Sequence, residues 1–168
     1  MQLAGWRLAY RNLLPASLLG PQLEQDKQAF WAQRFAQQTE NQLLAVAGEG
    51  GNCLGVVCAF RAAPVEGGCY IEHIYVAPGA LRRGLGRKLM SCAARWCASA
   101  YPDASLALSV VEQNLPAVAF YLRLGGLAEP AAAWHPSTEV CLPSLRFSWP
   151  DLDRLFGDEA SSMTHTSA

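Results

Sequence analysis

The chain has 168 residues, 51% of them hydrophobic and 16% charged, with a formal net charge of -1. That size and apolar content suit one domain with a buried core, and the balanced charge excludes a global basic field for nucleic acid and an acidic solvating tail. No run reaches the ~18 consecutive apolar residues of a membrane-spanning helix, so the sequence predicts no membrane partner and a cytoplasmic protein.

The first stretch, "MQLAGWRLAYRNLLPASLLG", lacks acids until Glu24, as a mitochondrial presequence would. The alternation of Trp6, Leu8 and Tyr10 instead predicts a short strand. "LEQDKQAFWAQRFAQQ" then sets Leu23, Phe30, Trp31 and Phe35 near one helical face. "NQLLAVAGEGGNCLGVVCAFR" reads as a hairpin whose Gly-rich turn supplies positive φ. After "AAPVEGG", the aromatic and β-branched run "CYIEHIYVAP" predicts a third strand, closed by Pro78, which cannot donate to a ladder.

From Gly84 the period becomes helical. Leu85, Leu89, Cys92, Ala93 and Trp96 share one side, and Arg87, Lys88, Ser91 and Arg95 the other. "YPD" ends that helix, and "SLALSVV" predicts a strand. "NLPAVAFYLRLGG" predicts a short helix with Asn114 as N-cap, Pro116 in the first turn and a glycine stop at Gly125 and Gly126. "EVCLPSLRFSW" predicts a final strand that Pro143 makes bulged or peripheral. The domain therefore spans 1–156, and the small polar tail 157–168 is expected to be disordered.

Cys53, Cys58, Cys69, Cys92, Cys97 and Cys141 contain no C-x-x-C pair, and His73, His135 and His165 are scattered. A domain of this size needs no stapling, so the expectation is buried reduced thiols and no metal.

Between the third strand and the next helix lies "VAPGALRRGLGRKLM". A helix start offers unpaired N–H groups and partial positive charge. Gly84 and Gly86 admit close backbone approach, and Arg82, Arg83 and Arg87 add full charges, so the stretch predicts a phosphate or pyrophosphate site. It is not a P-loop, because Arg87 follows Gly86 and no hydroxyl is placed for magnesium. It is not a dinucleotide fingerprint, because Leu89 stands where the third glycine belongs and Asp103 precedes its strand.

The stretch resembles the acyl-CoA loop of the GNAT superfamily of N-acetyltransferases, with Val76, Pro78, Gly84 and Gly86 in register and Leu81 in the usual Arg or Gln place. A second motif, through Asn114, Ala117, Phe120, Tyr121 and Gly125, is similar to the family's as well. The resemblance implies an α+β three-layer sandwich with a mixed, mostly antiparallel sheet, helices on both faces and a splayed CoA cleft. It implies that acetyl-CoA is the acyl donor, with pantetheine along the backbone of Ile74, Tyr75 and Val76. The pyrophosphate would then rest on Leu81, Arg82, Arg83, Gly84, Leu85, Gly86 and Arg87, with Arg82 and Arg83 compensating for Leu81. Asn114, Ala117 and Tyr121 would line the CoA arm, although Asn114 could equally serve only as an N-cap.

An amine attacks only when neutral, so acyl transfer needs a proton acceptor, an oxyanion donor and a leaving-group acid. Glu72, at a strand position that carries glutamate in some polyamine-type family members, is the candidate acceptor. The alternative is a solvent-facing strand carboxylate. Strand alternation aims His73 to the opposite face unless the strand bulges. The resemblance assigns the Ile74 amide to the oxyanion and Tyr121 to the thiolate. Trp31, Phe35, Trp134 and His135 are candidate acceptor contacts. Neither of their stretches is acidic, which favours a small amine or amino acid over a protein N-terminus and gives no support to a polycationic tail. A non-catalytic CoA sensor, suggested by Leu81, and a cysteine ping-pong enzyme are the competing readings. A homodimer is compatible with all of them.

Overall fold

The computed structural model describes residues 7, 9–37, 39–61, 68–99 and 103–156. Trp6, Leu8, loop residues 62–67, Tyr101, Pro102 and the tail 157–168 with His165 lie outside them. In chain order the elements are α1 (Pro21–Ala36), β1 (Gln42–Glu49), β2 (Asn52–Arg61), β3 (Gly68–Val76), α2 (Leu85–Ala98), β4 (Ser105–Val111), α3 (Leu115–Arg123), β5 (Leu127–Ser137) and β6 (Val140–Trp149). Short 3-10 turns occupy Ala16–Leu19, Pro78–Ala80 and Leu152–Leu155.

The strands form one sheet in the order β1-β2-β3-β4-β6-β5, antiparallel except for the β3–β4 pair. The larger core lies on one face, where α2, α3 and the turn at Leu152–Leu155 cover Val57, Ile71, Leu106, Leu108, Phe147 and Trp149. On the other face Leu14 packs on Val111 and Leu142, with Tyr10, Leu18 and Trp134 around them. α1 lies over the same face through its contacts with Glu72 and His73. The architecture is thus the expected open three-layer sandwich with a mixed sheet.

Several local readings change. Arg7, Ala9 and Tyr10 are helical rather than extended, so Tyr10 is not a strand residue. The β1–β2 hairpin turns through Gly50 (φ 57) and Gly51 (φ 78), the pair of positive φ values that a two-residue turn of matching twist needs. On α2 the buried residues are Leu89, Met90, Ala93, Ala94 and Cys97, while Cys92 and Trp96 stay half-buried. The inward face is therefore rotated about one position from the stripe expected. An additional strand not predicted from the sequence is β5, an edge strand that tolerates Pro130 and Pro136. β6 is interior, not peripheral. Pro143 is accommodated because its neighbours bulge, with β5 advancing from Ala131 to Trp134 while β6 moves from Ser144 to Leu142.

The cysteine expectation is corrected too. Cys69 on β3 and Cys97 in the last turn of α2 form a disulfide with Cα atoms 5.9 Å apart. The packing of α2 across β3 brings them together, which their separation of 28 residues could not reveal. Cys53 and Cys141 are exposed free thiols, and Cys58 is buried. Among the described residues no His/Cys/Asp/Glu group could hold a metal, and no helix is long and apolar enough to cross a membrane.

Candidate active site

β3 and β4 are paired only at Gly68–Ser105, Cys69–Leu106 and Tyr70–Ala107. Beyond that point β4 continues along β6 to Val111 while β3 continues along β2 to Val76, so the two strands part. The opening is a cleft of about 500 Å³. Ile71 to Ile74 form one wall, Leu108 to Val111 the other, and Asn114, Ala117, Tyr121, Tyr10, Lys27 and Trp134 close its ends.

Strand β3 carries a bulge at the site. Cys58 faces His73 while the next residue, Ala59, faces Ile71, so Glu72 has no ladder partner. Ile71 and Ile74, three residues apart, consequently both turn into the larger core. Glu72 and His73 both turn to the α1 face, which corrects the expectation that strand alternation separates them. Past the bulge the backbone regains its alternation. The Ala77 amide donates to the Leu54 carbonyl of β2 at 2.8 Å. Successive amides point to opposite edges, so Tyr75 aims at β2 and the amides of Ile74 and Val76 aim into the gap.

From α1 the Arg34 guanidinium reaches Glu72 with both forks, Nε to Oε2 at 2.9 Å and Nη2 to Oε1 at 2.7 Å. The guanidinium also lies 4.8 Å and 5.0 Å from the rings of Phe30 and Phe60. The hydrogen bonds to Glu72 hold its pKa above the usual arginine value, so it stays cationic. Glu72 is thus not a free carboxylate: its side chain is half-buried, 30% exposed, and paired with Arg34. The His73 ring packs on Phe30 at 4.5 Å and Trp31 at 5.7 Å, and its Nδ1 contacts the Glu72 carbonyl oxygen. Burial is the largest influence that depresses the His73 pKa, and Lys27 adds to it. The imidazole is therefore neutral at pH 7.

Across the gap, Tyr121 on α3 is buried among Phe120, Phe147 and Trp149 while still lining the cleft. Burial, with the nearby Tyr10, raises its pKa well beyond the usual tyrosine value, so the hydroxyl keeps its proton. Asn114 stands at the start of α3, where its carbonyl accepts from the Ala117 and Val118 amides at 3.0 Å. Its side chain makes no cap there and instead hydrogen-bonds the Tyr10 hydroxyl. The N-cap reading of that side chain is corrected, and Asn114 faces the cleft.

The loop after β3 leads to the start of α2. Gly84 holds φ 77, and a Cβ there would meet nothing within 4 Å, so its glycine is required by backbone conformation and its outer side is open. Arg82 also has positive φ, at 61. The Lys88 amide makes the first helical bond, to Gly84 at 3.1 Å, and no side chain caps the amides before it. Arg82 and Arg87 are exposed beside this helix start, while Arg83 leans on Glu49 at 3.3 Å. Two loop expectations change. The Leu81 amide is turned inward to the Pro78 carbonyl at 3.3 Å, and its side chain is exposed. Gly86 owes its missing Cβ to the Phe120 ring, which would lie 3.0 Å from it, rather than to an open approach.

The acceptor candidates divide. Trp134 lines the cleft, packs on Tyr10 at 5.6 Å, and also lines an adjoining cavity of about 440 Å³ that includes His135, Leu14, Leu23, Asp26 and Phe30. Trp31 lines neither cavity and packs on His73 and Phe30, which do. Phe35 is 51% exposed, touches Trp31 and lines neither of these cavities. The residues that sequence reasoning missed are Tyr10, Lys27 and Arg34. Lys27 joins the two cavities, and burial lowers its pKa against the opposing pull of Asp26 and Glu72. The missed signal was spacing: Leu23, Lys27, Phe30, Trp31 and Arg34 form α1's inward stripe, with two cations inside it.

Comparison with known proteins agrees with this geometry. A peptidyl-lysine N-acetyltransferase, YiaC of Escherichia coli K12, is 33% identical over 107 residues, or 64% of this chain, and the match spans 63% of that relative's length. The fold is shared with the ribosomal-protein-S18-alanine N-acetyltransferase of Escherichia coli, with TM-score 0.55, 22% identity and coverage of 71% of this chain and 74% of the other. It is also shared with Arabidopsis thaliana NAA60 in complex with acetyl-CoA, with TM-score 0.50, 19% identity and coverage of 64% and 74%. The acetyltransferase (GNAT) family model matches residues 8–126, through the parted strands, the α2 loop and all of α3, and the chain belongs to that family.

Proposed function

We propose that the protein is an N-acetyltransferase that moves the acetyl group of acetyl-CoA to a primary amine by direct attack. The observation that carries this reading is the parting of β3 from β4 beyond Tyr70 and Ala107. It leaves the Ile74 and Val76 amides facing the gap, with the buried Tyr121 opposite and the uncapped start of α2 at the end of β3. The pyrophosphate of acetyl-CoA takes the α2 start with Arg82, Gly84 and Arg87, and its pantetheine runs along β3. The Ile74 amide is placed to stabilise the oxyanion, and Tyr121 to protonate the departing thiolate. Proton acceptance falls to the Glu72–His73 pair on the bulge.

A covalent cysteine intermediate has little support. Cys58 is the thiol opposite His73, but burial and the Glu72 charge push its pKa up to about 11, and it does not line the cleft. The acceptor enters past Trp134 and Lys27. A cation at that junction opposes a polycationic acceptor, so the reading favours a small amine or amino acid. The YiaC relative acts on peptidyl-lysine, and a lysine side chain is itself a primary amine, so lysyl peptides belong in the test. A sensor without turnover is the second reading, favoured by Leu81, whose exposed side chain offers no charge to the phosphates.

The deciding experiment is a panel of amines, amino acids, lysyl peptides and N-terminal peptides incubated with acetyl-CoA, with free thiol measured. Turnover with any primary amine supports the enzyme. A thermal shift by acetyl-CoA with no turnover across the panel supports the sensor.

A further inference from the structure

We infer that His73 is the catalytic proton acceptor of this cleft, its Nε2 taking the proton of the attacking amine, and that Glu72 and Arg34 are positioning residues. The inference rests on the proposed reaction and identifies which of two adjacent groups serves it. The family resemblance favoured Glu72, and strand alternation was expected to turn His73 away, but the bulge puts both side chains on the α1 face.

Three features separate their roles. A carbonyl oxygen can only accept, so the contact between His73 Nδ1 and the Glu72 carbonyl requires hydrogen on Nδ1 and leaves the lone pair on Nε2. The ring plane is set by Phe30 and Trp31. Glu72, by contrast, holds one guanidinium nitrogen on each oxygen at 2.9 Å and 2.7 Å, with the Cys58 sulfur 4.0 Å from Oε2. To accept a proton it would have to give up a bidentate ion pair. The charged groups facing the imidazole are Lys27 and Arg34 from α1 and Glu72 from β3. The Cys58 thiol opposite, on β2, is protonated, and Tyr10 and Tyr121 line the same cleft. Burial first, and then Lys27 and Arg34, lower the imidazole pKa against the opposing pull of Glu72, so the ring stands neutral and ready to accept.

The step balances as follows. The amine nitrogen bonds to the thioester carbon, the C–S bond breaks, the amine proton passes to His73 Nε2, and the thiolate takes a proton from Tyr121. Both side chains then re-equilibrate with solvent.

The test is the pH dependence of kcat/KM for the amine at saturating acetyl-CoA. Below the pKa values of both the imidazole and the amine, two groups must lose protons, so log kcat/KM rises with slope two in the wild type. His73→Gln should lower kcat/KM by about a hundredfold or more and reduce that slope to one. Glu72→Gln should lower the rate less and keep slope two, because the carbonyl that orients the ring is unchanged. A role for His73 in packing alone would slow the variant without altering the slope. Slope two in His73→Gln, or slope one in Glu72→Gln, overturns the inference while leaving the acetyltransferase reading intact. A wild type that turns over no amine overturns the reaction and the inference with it. Nitrogen NMR of the wild-type imidazole needs no variant to fold: an Nδ1–H neutral tautomer is expected, and an Nε2–H tautomer overturns the assignment.

Discussion

The two faces of the cleft are built in opposite ways. On the α2–α3 face, the proposed recognition of the acyl donor uses backbone: a left-handed Gly84, uncapped amides at a helix start, and strand amides released when β3 leaves β4. On the α1 face, the proposed chemistry uses side chains held by other side chains: Arg34 on Glu72, Phe30 and Trp31 on His73, and Tyr10 on Asn114. Backbone devices depend on residues close in sequence and tolerate little variation. Side-chain devices depend on partners far apart, such as Arg34 and Glu72 at a separation of 38.

That contrast can be broken most directly at Tyr121, the only part of the α3 wall given a chemical step. Tyr121→Phe keeps the ring packing against Phe147 and Trp149 and removes the hydroxyl. Turnover should fall about a hundredfold or more while acetyl-CoA affinity is retained, as read by kcat beside a calorimetric Kd. An equal loss in both would make the hydroxyl a binding group and blur the two faces.

Gly84→Val tests the donor side alone. Forcing a branched residue to φ 77 costs about 1–2 kcal/mol. Relaxation of the loop to avoid that strain should weaken acetyl-CoA binding by about tenfold, with a matching loss of the thermal shift. The acceptor KM at saturating acetyl-CoA should not move. A thermal shift equal to wild type would remove the α2 start from the donor site.

Arg34→Met tests the acceptor side alone. It strips both hydrogen bonds from a half-buried carboxylate and should cost about 1–2 kcal/mol of stability, since the pair is 23% and 30% exposed. The same variant should raise the amine KM or lower kcat while leaving the acetyl-CoA Kd unchanged. A shifted Kd would show that the two faces are coupled through β3.

The smallest effect is a pH dependence of stability. Burial lowers the folded-state pKa of His73 below its unfolded value near 6.5, so below that value the unfolded chain binds more protons than the folded one. Stability should fall as pH drops from about 6.5 toward the folded-state pKa. Comparing the melting temperatures of wild type and His73→Gln between pH 7.5 and pH 5 isolates this contribution, and parallel curves would deny it.

The motifs of the proposed donor side are legible in the sequence. Val76, Pro78, Gly84 and Gly86, then Asn114, Ala117 and Tyr121, are signals written within single turns and helices, where spacing dictates geometry. Even there, packing reassigned Gly86 to the Phe120 ring and turned the Asn114 side chain from cap to cleft. Strands β1 to β4 and β6 and the three helices were also within reach, because hydrophobic period and turn residues act over a few positions, whereas β5 and the order of the sheet were not.

Tertiary structure alone decided the α1 face, the proposed acceptor side. The bulge at Glu72 arises from the register of β2 against β3, a property of two strands rather than of one. The inward stripe of α1 carries Lys27 and Arg34, which periodicity of apolar residues cannot find, because their burial is compensated by a carboxylate and aromatic faces on other elements. The Cys69–Cys97 bridge follows from the packing of α2 across β3. Local conformational preference falls within a few residues of its cause and can be read along the chain. Pairing of charges, rings and thiols across the fold has no such range in sequence, and it exists only once the sheet has set its register.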